Sequence, residues 1–393
     1  MKTVSIGMIG GGFAARLHGN SFRMVGGLQL RLRGVADVNP ASAKKTAEEY
    51  GYEHYTTDYR ELLSDPEIDV VILCTPPYLH PDMIIEALAA EKHVICEKPL
   101  TGYFGLPEDP DPIGDTVSKR KMYRTVQGDL KRLEQAVCSS KKRFMYAENY
   151  IYSPNIQRAA EFLRAKKSTI TFLRGEESVQ GSPTAGAGAW KNIGGGTLLR
   201  IGCHPLAGIL YLKSVEAAAK GREISIREIV ADTGRIAPTL SQTDRRYLMA
   251  HPQDVEDFGT MTLTFSDGTK ATVFANDNVV GGIQNYIQIY CNDATMLCKI
   301  TPTDSLQTYF LDSEGLDNVY LSENLSHKTG WNRAFVSESI ERGYVAQLQD
   351  FMECVAYGRE PLSGFSLAKQ TIEALYAAYI SAEEGRRVIL PEL

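Results

Sequence analysis

The chain has 393 residues, 43% of them hydrophobic and 23% charged, with a formal net charge of −6. That length exceeds what one core usually supports, so two domains are expected, and the composition excludes a disordered or fibrous chain. The acidic balance argues against a nucleic-acid partner, and no apolar run of about 18 residues offers a membrane span.

The N-terminus runs straight into the apolar stretch 4–9 with no basic leader, which predicts a cytoplasmic protein. Seven cysteines (Cys74, Cys96, Cys138, Cys203, Cys291, Cys298 and Cys354) form no C-x-x-C pair. Reduced thiols packed as small apolar groups are expected, and no metal site.

Strands are predicted at 4–10, 30–37, 69–76, 93–98 and 143–149. Helices are predicted at 14–25, 40–50, 58–63, 81–91 and 118–139. The strand-like runs are dense in Val, Ile, Leu and Cys rather than alternating, as when helices cover both faces. Strand then helix, repeated, predicts a parallel doubly wound α/β sheet over residues 1–150. Residues 102–117 interrupt it with Gly, Pro and Asp, and read as an ordered insertion loop beside the nucleotide crevice.

From Ser153-Pro154, a good helix start, the pattern changes. A helix to about residue 166 precedes strand-like runs at 169–179, 259–265, 269–275, 285–291 and 295–300. Ser266-Asp267-Gly268 and Asn292-Asp293 are turn signals between them. A last helix, 366–384, stops at Gly385. Residues 151–393 therefore read as an α+β domain with an open, largely antiparallel sheet.

Gly10-Gly11-Gly12-Phe13-Ala14-Ala15 fits G-x-G-x-x-A between a strand and a helix. Gly10 makes the tight turn, Gly12 admits a pyrophosphate to the backbone, and Ala15 allows close helix–strand packing. Phe13 and Ala14 open the helix whose free N–H groups face the phosphates. Asp37 ends the second strand, placed to accept from ribose hydroxyls and to repel a 2′-phosphate. NAD is expected, and NADP is disfavoured because Arg31 and Arg33 precede Asp37 on the strand.

The third and fourth predicted strands end in Thr75-Pro76, followed by His80, and in Glu97-Lys98-Pro99. Both are carboxyl ends, where open α/β sheets bind ligands. A lysine there can reach substrate and nicotinamide, and desolvation can turn a lysine into a proton carrier. With the Gly10–Ala15 turn, these motifs in this order resemble the Gfo/Idh/MocA oxidoreductases over nearly the whole chain. The resemblance implies an N-terminal Rossmann domain. It implies that Lys98 contacts substrate and cofactor, that Thr75, Pro76, His80 and Glu97 line the cofactor site, and that the second domain's sheet makes a homodimer or homotetramer.

In the run Gly194–Pro205, His204 matches the family histidine, an acid/base candidate. The family acid stands four residues earlier, so that on a helix the two share one face; it is Arg200 here, and a further family Asp is Ala207. A guanidinium cannot accept a proton. Arg200 either binds an anionic substrate group or holds a carboxylate such as Glu148, while His204 and Lys98 do the chemistry. Glu148, Asn149 and Tyr152 at a strand end are candidates for sugar hydroxyls. Residues 181–188 read as a mobile loop, and Trp190 as a residue that could stack on a sugar.

The reading is an NAD-dependent dehydrogenase of a secondary alcohol on a sugar, cyclitol or glycoside, anionic if Arg200 binds it. The alternative is an NAD-dependent glycosidase that oxidises transiently, eliminates, hydrates and re-reduces.

Overall fold

A computed structural model describes residues 1–184, 186–301, 306–319, 321, 328–334 and 336–390. The first sheet contains β1 (Thr3–Ile9), β2 (Gln29–Ala36), β3 (His54–Thr56), β4 (Val70–Leu73), β5 (His93–Glu97) and β6 (Phe144–Ala147), in the order β3-β2-β1-β4-β5-β6. All its pairings are parallel. The order reverses between β1 and β4, and the carboxyl ends there open a crevice. All four residues of β4 are fully buried, which explains its unbroken apolar run. β3 has only three residues, too short for a pattern to show in the sequence.

Local chemistry fixes the helices. Pro40–Tyr50 starts on Asn39, whose side chain accepts from the Ala41 and Ser42 N–H groups, and ends on Gly51 at φ +82°. Lys119–Ser139 is capped by Ser118.

The second sheet is mixed and mostly antiparallel. Its strands are β7 (Ile170–Ser178), β8 (Ile226–Gly234), β9 (Phe258–Phe265), β10 (Lys270–Asn276), β11 (Gln284–Cys291) and β12 (Thr295–Lys299). A separate hairpin, β13 (Gln307–Phe310) with β14 (Gly330–Arg333), follows, and β15 (Val388–Ile389) closes the sheet order β12-β11-β7-β10-β9-β8-β15. The exception to antiparallel pairing is β7 with β10. Buried and half-exposed residues alternate along β9 and β10, so one face packs inward. The helix Cys203–Lys220 lies against β7 and β11, and Phe365–Glu384 against β8. The outer face carries the pairs Phe258–Phe274 and Phe172–Tyr290, with ring centroids 5.4 and 5.9 Å apart.

The C-terminal helices return to the first sheet. Tyr344–Tyr357 packs on β1 and on the helix Phe13–Phe22, and Phe365–Glu384 on β6 and Lys119–Ser139. The 102–117 insertion also joins the halves: the Gly114 N–H donates to Asp254 (2.9 Å), Lys191 pairs with Asp111 (2.8 Å), and Tyr376 Oη accepts from the Tyr103 N–H (2.5 Å). All seven cysteines are free, Cys138 being exposed. Among the described residues no helix is long and apolar enough to cross a membrane.

Candidate functional site

A cleft of about 760 Å³ opens where the crevice of the first sheet meets the second domain. It is lined by Phe13, Ala14, Thr75, Glu97, Lys98, Asn149, Arg200 and His204 from the sequence candidates. Arg16, Leu17, Cys74, Glu177, Ser182, Arg342 and Tyr344 join them unforeseen.

The two motif glycines exist for different reasons. Gly10 has φ +98°, and a Cβ there would lie 2.5 Å from the Cys74 carbonyl oxygen, so the protein itself demands glycine. A Cβ on Gly12 would meet nothing within 4 Å. The helix Phe13–Phe22 starts at Gly12 with no side-chain cap, leaving its first N–H groups open to an anion. Asp37 closes the loop, accepting from the N–H groups of Gly11 (2.7 Å) and Asn39 (2.8 Å) and from Ser42 Oγ (3.1 Å). Arg31 pairs with Glu53 (2.5 Å) and Arg33 with Asp65 (2.8 Å), so neither cation is free for a 2′-phosphate. These residues fit an NAD pyrophosphate and ribose.

Some expected cofactor contacts lie behind the cleft. His80 is fully buried; its Nδ1 and Nε2 face the carbonyls of Pro99 and Thr75, each at 3.0 Å. Burial lowers its pKa, while the two carbonyls oppose that shift, and the ring sits between two strand ends rather than in the cleft. Pro76 is exposed but does not line the cleft. Glu97 is bonded by the ring of His18 at 2.8 Å.

The substrate half centres on Lys98 and His204. Lys98 Nζ donates to the backbone carbonyl of Arg200 at 2.8 Å. His204 is 4% exposed, its Nδ1 is 2.7 Å from Glu148 Oε1, and its ring stacks on Tyr150 at 4.6 Å. Its Nε2 has no protein partner among the described residues. Burial pushes the Glu148 carboxyl up and the His204 imidazole down, the latter with help from the nearby Lys98 ammonium. Tyr150 in turn bonds Glu177 and accepts from Asn285 Nδ2 (2.6 Å), fixing the ring beneath His204. Ligand atoms of Glu148, Cys203 and His204 come within 4.8 Å of one another. The Glu148–His204 contact engages two of them, and burial keeps the Cys203 thiol protonated.

Residues 4–121 match the NAD-binding Rossmann domain of the Gfo/Idh/MocA oxidoreductases, and residues 167–297 match the family's C-terminal domain. The chain belongs to the Gfo/Idh/MocA oxidoreductase family. Levoglucosan dehydrogenase of Pseudarthrobacter phenanthrenivorans is 27% identical, covering 100% of both chains. Myo-inositol 2-dehydrogenase of Thermotoga maritima is 21% identical over 99% of each. Among solved structures, GenD2 from gentamicin A biosynthesis in complex with NAD superposes with a TM-score of 0.77 at 22% identity, covering 99% of this chain and 97% of its own. Levoglucosan dehydrogenase with NADH and levoglucosan gives 0.71 at 21%, covering 99% and 100%.

In this family member several expectations meet different geometry. Arg200 and His204 do not share a helix face. Arg200 ends the short helix Thr197–Arg200, and His204 begins Cys203–Lys220 after a break at Ile201 and Gly202. The Arg200 guanidinium pairs with Asp277, not Glu148. Glu256 caps the short helix, accepting from the N–H groups of Gly196 (3.0 Å) and Leu198 (2.9 Å). Trp190 is 2% exposed and packs on Tyr379, so it does not reach a sugar. Tyr152 is buried and donates to Asp350 at 2.7 Å. Asn149 lines the cleft while donating to the Arg342 carbonyl (2.7 Å). The 181–188 stretch is pinned at both ends: the Met249 N–H donates to the Gln180 carbonyl and the Gln253 N–H to the Gly188 carbonyl, each at 2.8 Å.

Proposed function

We propose that this chain is an NAD-dependent dehydrogenase of a secondary alcohol on an uncharged sugar, cyclitol or glycoside. The observation that carries this reading is the convergence of Lys98 and His204 in one cleft below the Gly10–Gly12 turn, with Glu148 fully buried behind His204 rather than facing a sugar as expected. Bound NAD supplies the hydride acceptor. Lys98, held by the Arg200 carbonyl, donates to the carbinol oxygen and favours its developing negative charge. With Glu148 ionised and accepting from Nδ1–H, His204 Nε2 takes the hydroxyl proton, and the imidazolium forms beside that carboxylate. Arg200 supports an uncharged substrate because Asp277 already neutralises it.

Catalytic roles thus fall to Lys98 and His204. Cofactor contacts fall to Gly10, Gly12, Phe13, Ala14, Asp37, Thr75 and Glu97, and substrate contacts to Asn149 and, unforeseen, Glu177. We assign residues 1–150 and 151–393 as the two units, with the C-terminal helices folded back onto the first. The aromatic outer face of the second sheet suits a homodimer or homotetramer, and seven free thiols suit a cytoplasmic setting.

The test is Lys98→Met, assayed by net NADH formation on a panel of sugars and cyclitols. Turnover is expected to fall by about 10²–10⁴-fold with NADH binding retained. Unchanged turnover would show the mechanism to be wrong.

A further inference from the structure

Beside the cleft lies a second hollow of about 210 Å³. Ser182, Pro183 and Thr184 line both, so the two spaces adjoin there. An ion pair also reaches both spaces: Arg200 lines the cleft and Asp277 lines the hollow.

The hollow is built into the fold. Gly181 bridges to Met249 at φ +106°, and a Cβ on it would lie 2.3 Å from the Ala250 nitrogen. With Gly188 also bonded to the segment that carries His251, the loop over the hollow is fixed at both ends. The lining mixes apolar residues such as Met249, Pro252 and Val255 with acidic ones. Glu256, Asp257 and Asp277 face it, and no lysine or arginine does among the described residues. The carboxylates of Glu256 and Asp257 are occupied by backbone N–H groups. Asp277 gives one oxygen to Arg200, and among the described residues its other oxygen has no protein donor. A hydroxyl-bearing ring suits such walls, and an acidic one would be repelled. The volume matches one six-membered sugar ring and is too small for a nucleotide.

We propose that this hollow is a subsite for a second, uncharged sugar residue, so that the alcohol oxidised in the cleft belongs to a two-ring glycoside. The second ring lies between Ser182, Pro183 and Thr184 on one side and Asp277 on the other, and donates a hydroxyl to the open Asp277 oxygen. This rests on the dehydrogenase reading and narrows its substrate.

The test compares NAD⁺ reduction with glucose and galactose against maltose, cellobiose, lactose and melibiose, for the full chain and two variants. Ala187→Phe fills the hollow without touching the cleft. His251→Trp narrows it from an exposed position that any fold tolerates. At least one disaccharide is expected to exceed its monosaccharide by about tenfold or more in kcat/KM. Both variants should erase that advantage and leave the monosaccharide rate unchanged. If no disaccharide exceeds its monosaccharide, or the advantage survives both variants, the subsite is overturned and the dehydrogenase reading stands. If neither these sugars nor the cyclitols of the first panel reduce NAD⁺ while NADH still binds, the dehydrogenase reading falls and the subsite with it.

Discussion

Two alanine substitutions two residues apart should fail in opposite ways. Gly10→Ala places a methyl group 2.5 Å from the Cys74 carbonyl oxygen on a backbone with φ +98°. The left-handed conformation costs about 1–2 kcal/mol and the overlap about 1–3 kcal/mol more. A loss of about 3 kcal/mol should lower the melting temperature by about 5 °C. Gly12→Ala has ordinary backbone angles (φ −79°, ψ −153°) and an empty site for its methyl group. Its stability should change by no more than about 0.5 kcal/mol. The methyl group instead occupies the approach of the pyrophosphate to the first helical turn. Loss of one charge-assisted hydrogen bond, about 1.5–3 kcal/mol, raises the NADH dissociation constant by about tenfold to a hundredfold. Thermal unfolding without ligand and NADH fluorescence titration give the two readouts. A Gly12→Ala protein that binds NADH as tightly as the parent, or a Gly10→Ala protein that melts with it, would refute the assignment of the two glycines.

Three further outcomes follow from the same geometry. Glu148→Gln keeps a partner for His204 Nδ1 but cannot pair an imidazolium, so kcat should fall by about 10²-fold with KM nearly unchanged, measured by steady-state kinetics on the substrate found above. His93 Nδ1 accepts from the Arg143 N–H (3.0 Å), and burial lowers its pKa from 6.5 to about 4. The folded state therefore holds this ring neutral. Its contribution is present above pH 6.5 and is lost as pH falls towards 4, on the order of 2 kcal/mol, so denaturant midpoints of wild type and His93→Asn should diverge across that window and nowhere above it. Asp277→Asn leaves the Arg200 guanidinium without its carboxylate and should cost about 1–3 kcal/mol, whereas Arg200→Met with Asp277→Leu should cost less than Asp277→Asn alone, as a double-mutant cycle in urea would show.

The nucleotide half was legible because it is local. Strand, Gly10, Gly12, helix and Asp37 lie within one β-α-β unit, and each residue type has a steric or electrostatic reason to stand there. Lys98 and His204 were legible through strand ends and motif order. What the sequence did not disclose is long-range. Glu177 reaches the cleft by the register of β7 against β10 and β11, and Arg342 and Tyr344 arrive from just before and at the start of a returning helix. The helix break at Ile201 and Gly202 was hidden because an i to i+4 spacing looks the same whether or not the helix continues. There the Gly202 N–H bonds the Thr197 carbonyl (3.1 Å), and a Cβ on Gly202 would lie 2.5 Å from the Leu198 carbonyl oxygen. Trp190 misled because its lysine and glycine neighbours read as a loop, while Tyr379 and the Lys119 ammonium, 4.6 Å from the ring, enclose it.

The Lys98 ammonium is anchored on a main-chain oxygen of residue 200, and that oxygen is present whatever side chain is attached. The anchor and the side chain are thus decoupled. Position 200 can exchange arginine for another residue, altering what the cleft presents to a ligand, without releasing the lysine. For engineering, this makes residues 200 and 277 a pair to randomise together when new substrates are sought, with the proton-handling groups left as they stand.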